Sequence, residues 1–148
     1  MDRWTVCDAG HVHWGAFGGA GLLLRYVAPD EGEERFFLEQ RSRSVDEGGS
    51  WGIPGGAIRA GETPEAAARR EMEEEVGTVP PFRKTGSTVQ ECGGGWRFYI
   101  VSGDVDEMFV GYSVHETEAT GWFTRSEMEH LPLHPGLRTA FQGHRREG

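Results

Sequence analysis

Three glutamates at helical spacing constrain this chain more than any other feature. Glu71, Glu74 and Glu75 lie within GAIRAGETPEAAARREMEEEVGT, residues 56–78. Each residue of an α-helix advances by about 100°, so positions i, i+3 and i+4 share one face. Like charges at that spacing repel, which makes the arrangement poor for a purely structural helix. A hard divalent cation turns the repulsion into ligation, because Mg²⁺ and Mn²⁺ favour carboxylate oxygens and leave positions open for substrate phosphates.

The rest of the stretch suits that use. Thr63 is placed to cap the helix and Pro64 to open it, while Gly77 is a natural residue for ending it. Ala68, Met72 and Val76 form an apolar stripe that would seat the helix on a core. Arg70 carries a rigid donor fork suited to orienting carboxylates. Pro54-Gly55-Gly56 and Gly61 let the backbone pass close to a metal or a phosphate.

The stretch resembles the Nudix box, G-x5-E-x7-R-E-U-x-E-E-x-G-U with U aliphatic. Gly56, Glu62, Arg70, Glu71, Met72, Glu74, Glu75 and Gly77 stand at the required spacing. Thr78 departs from the pattern, with a β-branched residue of nearly valine size. The upstream WGIPGG segment, residues 51–56, extends the match. The similarity reaches over roughly residues 16–142, but only the box is highly specific.

The resemblance implies an α+β fold, an α/β/α sandwich with a mixed sheet between helices, as a single domain over 1–148 with an N-terminal arm at 1–17. It also implies hydrolysis of a nucleoside diphosphate linked to another group, such as a nucleoside triphosphate, ADP-ribose or an NDP-sugar. Glu71, Glu74, Glu75 and the Gly56 carbonyl match the metal positions, with Mg²⁺ or Mn²⁺ as the ion. Glu62 and Arg70 match positions that brace loop and helix. Glu71 and Glu75 fall in the catalytic set with Arg70. The resemblance leaves Glu71 and Glu116 as candidates for the general base, and on the segment 115–127 it makes Glu116 the first candidate to face the metal centre and Glu118 the second, with a solvated loop as the competing reading. Arg41, Gly55 and Gly56 are candidates for holding substrate phosphate. The competing class is a non-catalytic Nudix fold serving as a ligand sensor or regulator. The intact acidic set favours the enzyme.

Composition narrows the partners. The formal net charge of −9 over 148 residues argues against nucleic-acid binding through a broad basic surface. It leaves room for a nucleotide-type small molecule whose phosphates meet bound cations. Cys7 and Cys92 fit no zinc spacing, and no long apolar run suggests a membrane span, so a cytoplasmic protein is expected. The 23 glycines follow no repeat and point to many tight turns.

Along the chain, the arm carries Trp4 and Trp14 together with Cys7, His11 and His13. An edge strand with imidazoles in solvent is the plain reading, since a closed zinc site needs four ligands at recognised spacing. The aromatic arm is also a candidate contact for a homodimer. Strands are expected at 18–27, 35–41, 82–91 and 95–105, a surface loop at 104–111 with Met108, Phe109 and Val110 over the site, a short helix at 125–130 and a last one at 135–144. Trp14, Phe17, Trp96, Phe98 and Tyr99 could stack on a base, although strand aromatics ordinarily fill the interior.

Overall fold

The computed structural model describes residues 4–6, 12–14, 17–42, 49–92, 96–111, 117–135, 137–138 and 141. A short hairpin, β1 (Trp4–Val6) and β2 (Val12–Trp14), forms a two-stranded sheet of its own. The expected edge strand in the arm is thus a pair of strands. Cys7, His11 and the side chain of His13 lie outside the described residues, as do the side chains of Trp4 and Trp14.

The main sheet is built from β3 (Gly19–Val27), β4 (Glu34–Arg41), β5 (Trp51–Gly52), β6 (Gly55–Ala57), β7 (Arg83–Cys92), β8 (Trp96–Asp104) and β9 (Thr117–Phe123). Its main order is β5-β4-β3-β8-β7, with β6 also on β3 and β9 also on β4. β3 and β8 run parallel, while the other pairs are antiparallel, so the sheet is mixed.

Buried strands at the centre explain why β3 reads as a continuous apolar run instead of an alternation. Leu22 and Leu24 face the helix α1 (Pro64–Val76) with Phe37 and Val101, and they meet its Ala67, Ala68, Met72 and Val76. Leu23 points the other way, into a second core with Phe36, Leu38, Ile100, Leu137 and Phe141. Met128 of the short helix α2 (Arg125–Met128) belongs to that second core. Helical backbone follows at Pro135, Leu137, Arg138 and Phe141, within the stretch expected to hold the last helix. The sheet therefore lies between α1 and the C-terminal helical residues, the expected α/β/α sandwich. Among the described residues no helix is long and apolar enough to cross a membrane.

Two expectations change in detail. Phe109 does not hang over the site. It packs into the α1-side core, its ring 4.5 Å from Phe37 and 5.3 Å from Trp122, and its carbonyl accepts the Trp122 indole N–H at 2.8 Å. Of the three, Met108 and Val110 are exposed. Phe98 and Tyr99 pack into opposite cores, as strand alternation requires, so they cannot form one stacking platform.

Candidate active site

The site begins at the two ends of α1. Thr63 caps it by accepting the Ala66 N–H at 3.1 Å, and Pro64 opens the first turn. Gly77 closes it in the left-handed region, φ 80°, donating its N–H to Glu73. With both ends fixed, the register of Glu71, Glu74 and Glu75 against the sheet is set by Ala68, Met72 and Val76, all fully buried.

Arg70 ties this helix to the loop before it. Its Nε and Nη2 donate to both Glu62 oxygens at 2.7 and 2.9 Å, a bidentate pair. The remaining donors reach the Ala57 carbonyl at 2.9 Å and Glu71 Oε1 at 2.9 Å. One guanidinium thereby fixes loop, strand and helix together, and the Arg70 pair holds the Glu62 carboxyl down at about 2. Glu74 sits 3.5 Å from Arg70 with its side chain about half exposed.

Gly55 and Gly56 occupy places that no other residue fits. A Cβ on Gly55 would stand 2.5 Å from the Ala20 carbonyl oxygen, because β6 lies directly against β3. A Cβ on Gly56 would stand 2.5 Å from the Glu71 carboxyl carbon. The bare Gly56 backbone is thus a cradle for the Glu71 carboxylate. The Gly55 N–H donates to Glu75 Oε2 at 3.3 Å.

A fifth carboxylate completes the site and is absent from the sequence-based assignment. Glu39 of β4 is buried, with 7% of its surface exposed, and it hydrogen-bonds with Glu75. The Thr117 hydroxyl donates to Glu39 Oε2 at 3.1 Å. Glu39 lies two residues beyond Phe37, so the alternation that buries Phe37 against α1 aims Glu39 at the same helix. A lone acid following Phe36-Phe37-Leu38 on a strand was the signal for it.

The electrostatics follow from burial. Desolvation raises the carboxyls of Glu75, Glu39 and Glu71 above their ordinary range. At Glu75 the adjacent Glu39 raises it further, whereas Arg70 partly offsets the effect at Glu71. Arg41, at the end of β4, pulls Glu39 back toward its charged form.

Among the described residues, no three acidic, histidine or cysteine side chains already surround a common point. Glu71 is turned to Arg70, Glu75 to Glu39, and Glu74 outward. The donors nonetheless fit a hard cation. They are all oxygens, two of the carboxylates press on each other away from water, and a glycine backbone leaves room beside a third. Glu116 lies outside the described residues. Glu118 is exposed on β9 while its neighbour Thr117 is the one that reaches the buried acids.

The family described as NUDIX domain matches residues 25–143. Proteins of two Mycobacterium tuberculosis strains, named "Putative 8-oxo-dGTP diphosphatase 3", are 38% identical in an alignment of 147 positions that covers 95% of this chain and 67% of theirs. The crystal structure of RenU, a Nudix hydrolase from M. smegmatis, superposes with a TM-score of 0.87 at 32% identity, covering 99% of this chain and 94% of that one. A Caenorhabditis elegans Ap4A hydrolase shares the fold at 17% identity, with a TM-score of 0.69 over 86% of this chain and 96% of its own.

Proposed function

The chain belongs to the Nudix family and is a hydrolase of phosphoanhydride bonds, and from that premise we propose that it cleaves a nucleoside triphosphate with an oxidised purine base to the monophosphate and pyrophosphate, in a reaction dependent on a divalent cation. The mycobacterial relatives named for 8-oxo-dGTP, alike over nearly the whole chain, favour this substrate class over ADP-ribose or an NDP-sugar. The observation that carries the chemistry is the buried contact of Glu39 with Glu75 beside the Gly56–Glu71 cradle.

Glu71, Glu74, Glu75 and the Gly56 carbonyl would hold the cation. Mg²⁺ or Mn²⁺ there would neutralise charge on the phosphate oxygens. The chain's own residues do the remainder. A water oxygen bonds to one phosphorus, the bridging P–O bond breaks, and a carboxylate accepts the water's proton. Glu71, seated on the Gly56 backbone and held by Arg70, is one candidate for that acceptor. Glu116 is the other candidate for that role, and an unchanged turnover in Glu116→Gln removes it. Arg70 holds Glu71 still, and Arg41 supplies positive charge at the end of β4 for a phosphate. The missing side chains at Gly55 and Gly56 let β6 lie against β3 and let the Glu71 carboxylate sit on the backbone beside the proposed cation position.

The test is pyrophosphate release from 8-oxo-dGTP beside dGTP, ADP-ribose, NDP-sugars and coenzyme A, with Mg²⁺ or Mn²⁺ and with chelator. Selective turnover of the oxidised nucleotide, lost with chelator and in Glu75→Gln, is expected. Turnover of ADP-ribose alone would overturn the substrate class while leaving the enzyme reading in place.

A further inference from the structure

We propose that Glu39 joins the residues that hold the divalent cation, taking it together with Glu75. The proposal rests on the cation-dependent reading above and adds to it a residue outside the box.

Glu39 reaches the site from the sheet, where it shares the α1-facing side of β4 with Phe37. There its carboxyl meets that of Glu75 at hydrogen-bonding length. Hydrogen bonds between two oxygens span about 2.5–3.0 Å. Two neighbouring oxygens on one octahedral Mg²⁺, each about 2.1 Å from the ion, stand about 2.9 Å apart. The folded chain thus already sets one oxygen of each carboxyl at the spacing of two adjacent ligands.

Among the described residues the pair is short of positive charge. The five N–H groups of Arg70 are engaged by Glu62, Glu71, Glu74 and the Ala57 carbonyl. Glu75 receives the Gly55 N–H and Glu39 the Thr117 hydroxyl, both neutral donors. Arg41 acts on Glu39 through its charge. Two carboxylates in contact away from water outweigh one such cation, and a divalent ion set against both balances them.

The neighbouring strand is shaped for this arrangement. β9 pairs with β4 in regular register from Phe36 opposite Phe123 to Gln40 opposite Ala119, and Arg41 then faces Thr117, so Glu118 is the extra residue of a bulge. Cross-strand partners share a face, and Arg41 shares one with Glu39. An unbroken ladder would put Glu118 opposite Arg41, on the side of the buried acids. The bulge leaves Glu118 exposed and brings the Thr117 hydroxyl onto Glu39 Oε2 instead. That donor steadies the Glu39 carboxylate without neutralising it.

Binding of Mn²⁺ alone to the full chain, read from the free-Mn²⁺ resonance in an electron paramagnetic titration, tests this. Glu39→Gln keeps the shape of the side chain, can donate to Glu75 and can accept from Thr117, so it would replace a residue that merely steadied Glu75. A ligand loses its charge in that variant, and Mn²⁺ affinity should fall about tenfold or more. Glu75→Gln should fall at least as far. Glu73→Gln, which removes the same charge from the exposed side of α1, should bind as the wild type does. Thermal midpoints without cation check that each variant folds. Glu39→Gln losing no more affinity than Glu73→Gln would overturn the inference, and if Glu75→Gln still loses affinity the cation reading stands. No Mn²⁺ bound by the wild type, or equal binding by Glu75→Gln, would overturn both.

Discussion

The molecule holds two clusters of charge, one on each face of its sheet, and they are built to opposite rules. Away from α1, Arg25 donates to both Asp104 oxygens at 2.9 Å and to Glu34 at 2.8 Å, while Arg125 reaches Glu34 at 3.0 Å and stacks over Phe36 and Phe141. Two cations meet two carboxylates around a shallow cavity of about 220 Å³. Hydrogen bonds from Arg25 hold Asp104 below its ordinary value, and those from Arg25 and Arg125 outweigh burial to lower Glu34. Under α1, by contrast, Glu39, Glu62, Glu71, Glu74 and Glu75 gather around Arg70 and Arg41, and burial drives three of the carboxyls upward. The balanced cluster is satisfied by itself and acts as structure. The unbalanced one has more carboxylates than cations among the described residues, the pattern on which the proposed cation site rests.

The sharpest break of this comparison is Glu75→Gln. Removing one carboxylate from the unbalanced cluster should lower kcat by about 100-fold or more, as loss of a cation ligand does, while leaving the thermal midpoint equal or higher, since a buried repulsion disappears. A midpoint that fell by many degrees would place Glu75 among the structural acids. Next in size is Arg70→Ala, which leaves Glu62, Glu71 and the Ala57 carbonyl without their donor. It should cost about 2–3 kcal/mol in chemical denaturation, with activity falling as well. Arg25→Met probes the balanced side. Its guanidinium is over a third exposed, so solvent screening limits the loss to about 1 kcal/mol, and turnover should be unchanged.

The smallest effect is in pH, where the two faces have opposite signs. Asp104 and Glu34 are lowered, so their contribution is full above the ordinary carboxyl values of 3.8 and 4.5 and is lost as pH falls through the folded values. Glu71 and Glu75 are raised, so the cation-free protein is favoured below the ordinary value of 4.5 and loses stability as pH rises through the folded values. Melting scans without Mg²⁺ should therefore show a lower midpoint at pH 8 than at pH 5.5, and Mg²⁺ should raise the midpoint more at pH 8. Equal Mg²⁺ effects at both values would argue that the raised carboxyls do not face the cation.

Local features were legible because local rules decide them. Thr63, Pro64 and Gly77 bound α1 through bonds to residues three or four away, and its apolar stripe lies where 3.6-residue periodicity puts it. The runs around Leu22–Leu24 and Phe36–Leu38 were readable as strands from their β-forming and apolar residues. Glu39 was not legible in the same way. Its pattern identifies a strand, but its role depends on Glu75, which is 36 residues on, and on Thr117, 78 residues on. Phe109 is similar, since nothing near it in sequence says that Phe37 and Trp122 leave a gap for its ring.

By itself, then, the sequence determined the capped acidic helix, the glycines that must pass beside it and the Nudix identity these imply, because spacing along a helix converts directly into a shared face. Tertiary structure alone decided that Glu39 meets Glu75, that Arg25 and Arg125 balance their acids on the far face, and that β7 ends the main strand order. Each of those depends on which strands lie side by side. Strand order is settled by how the whole chain buries its two cores, and no short window of sequence carries that information.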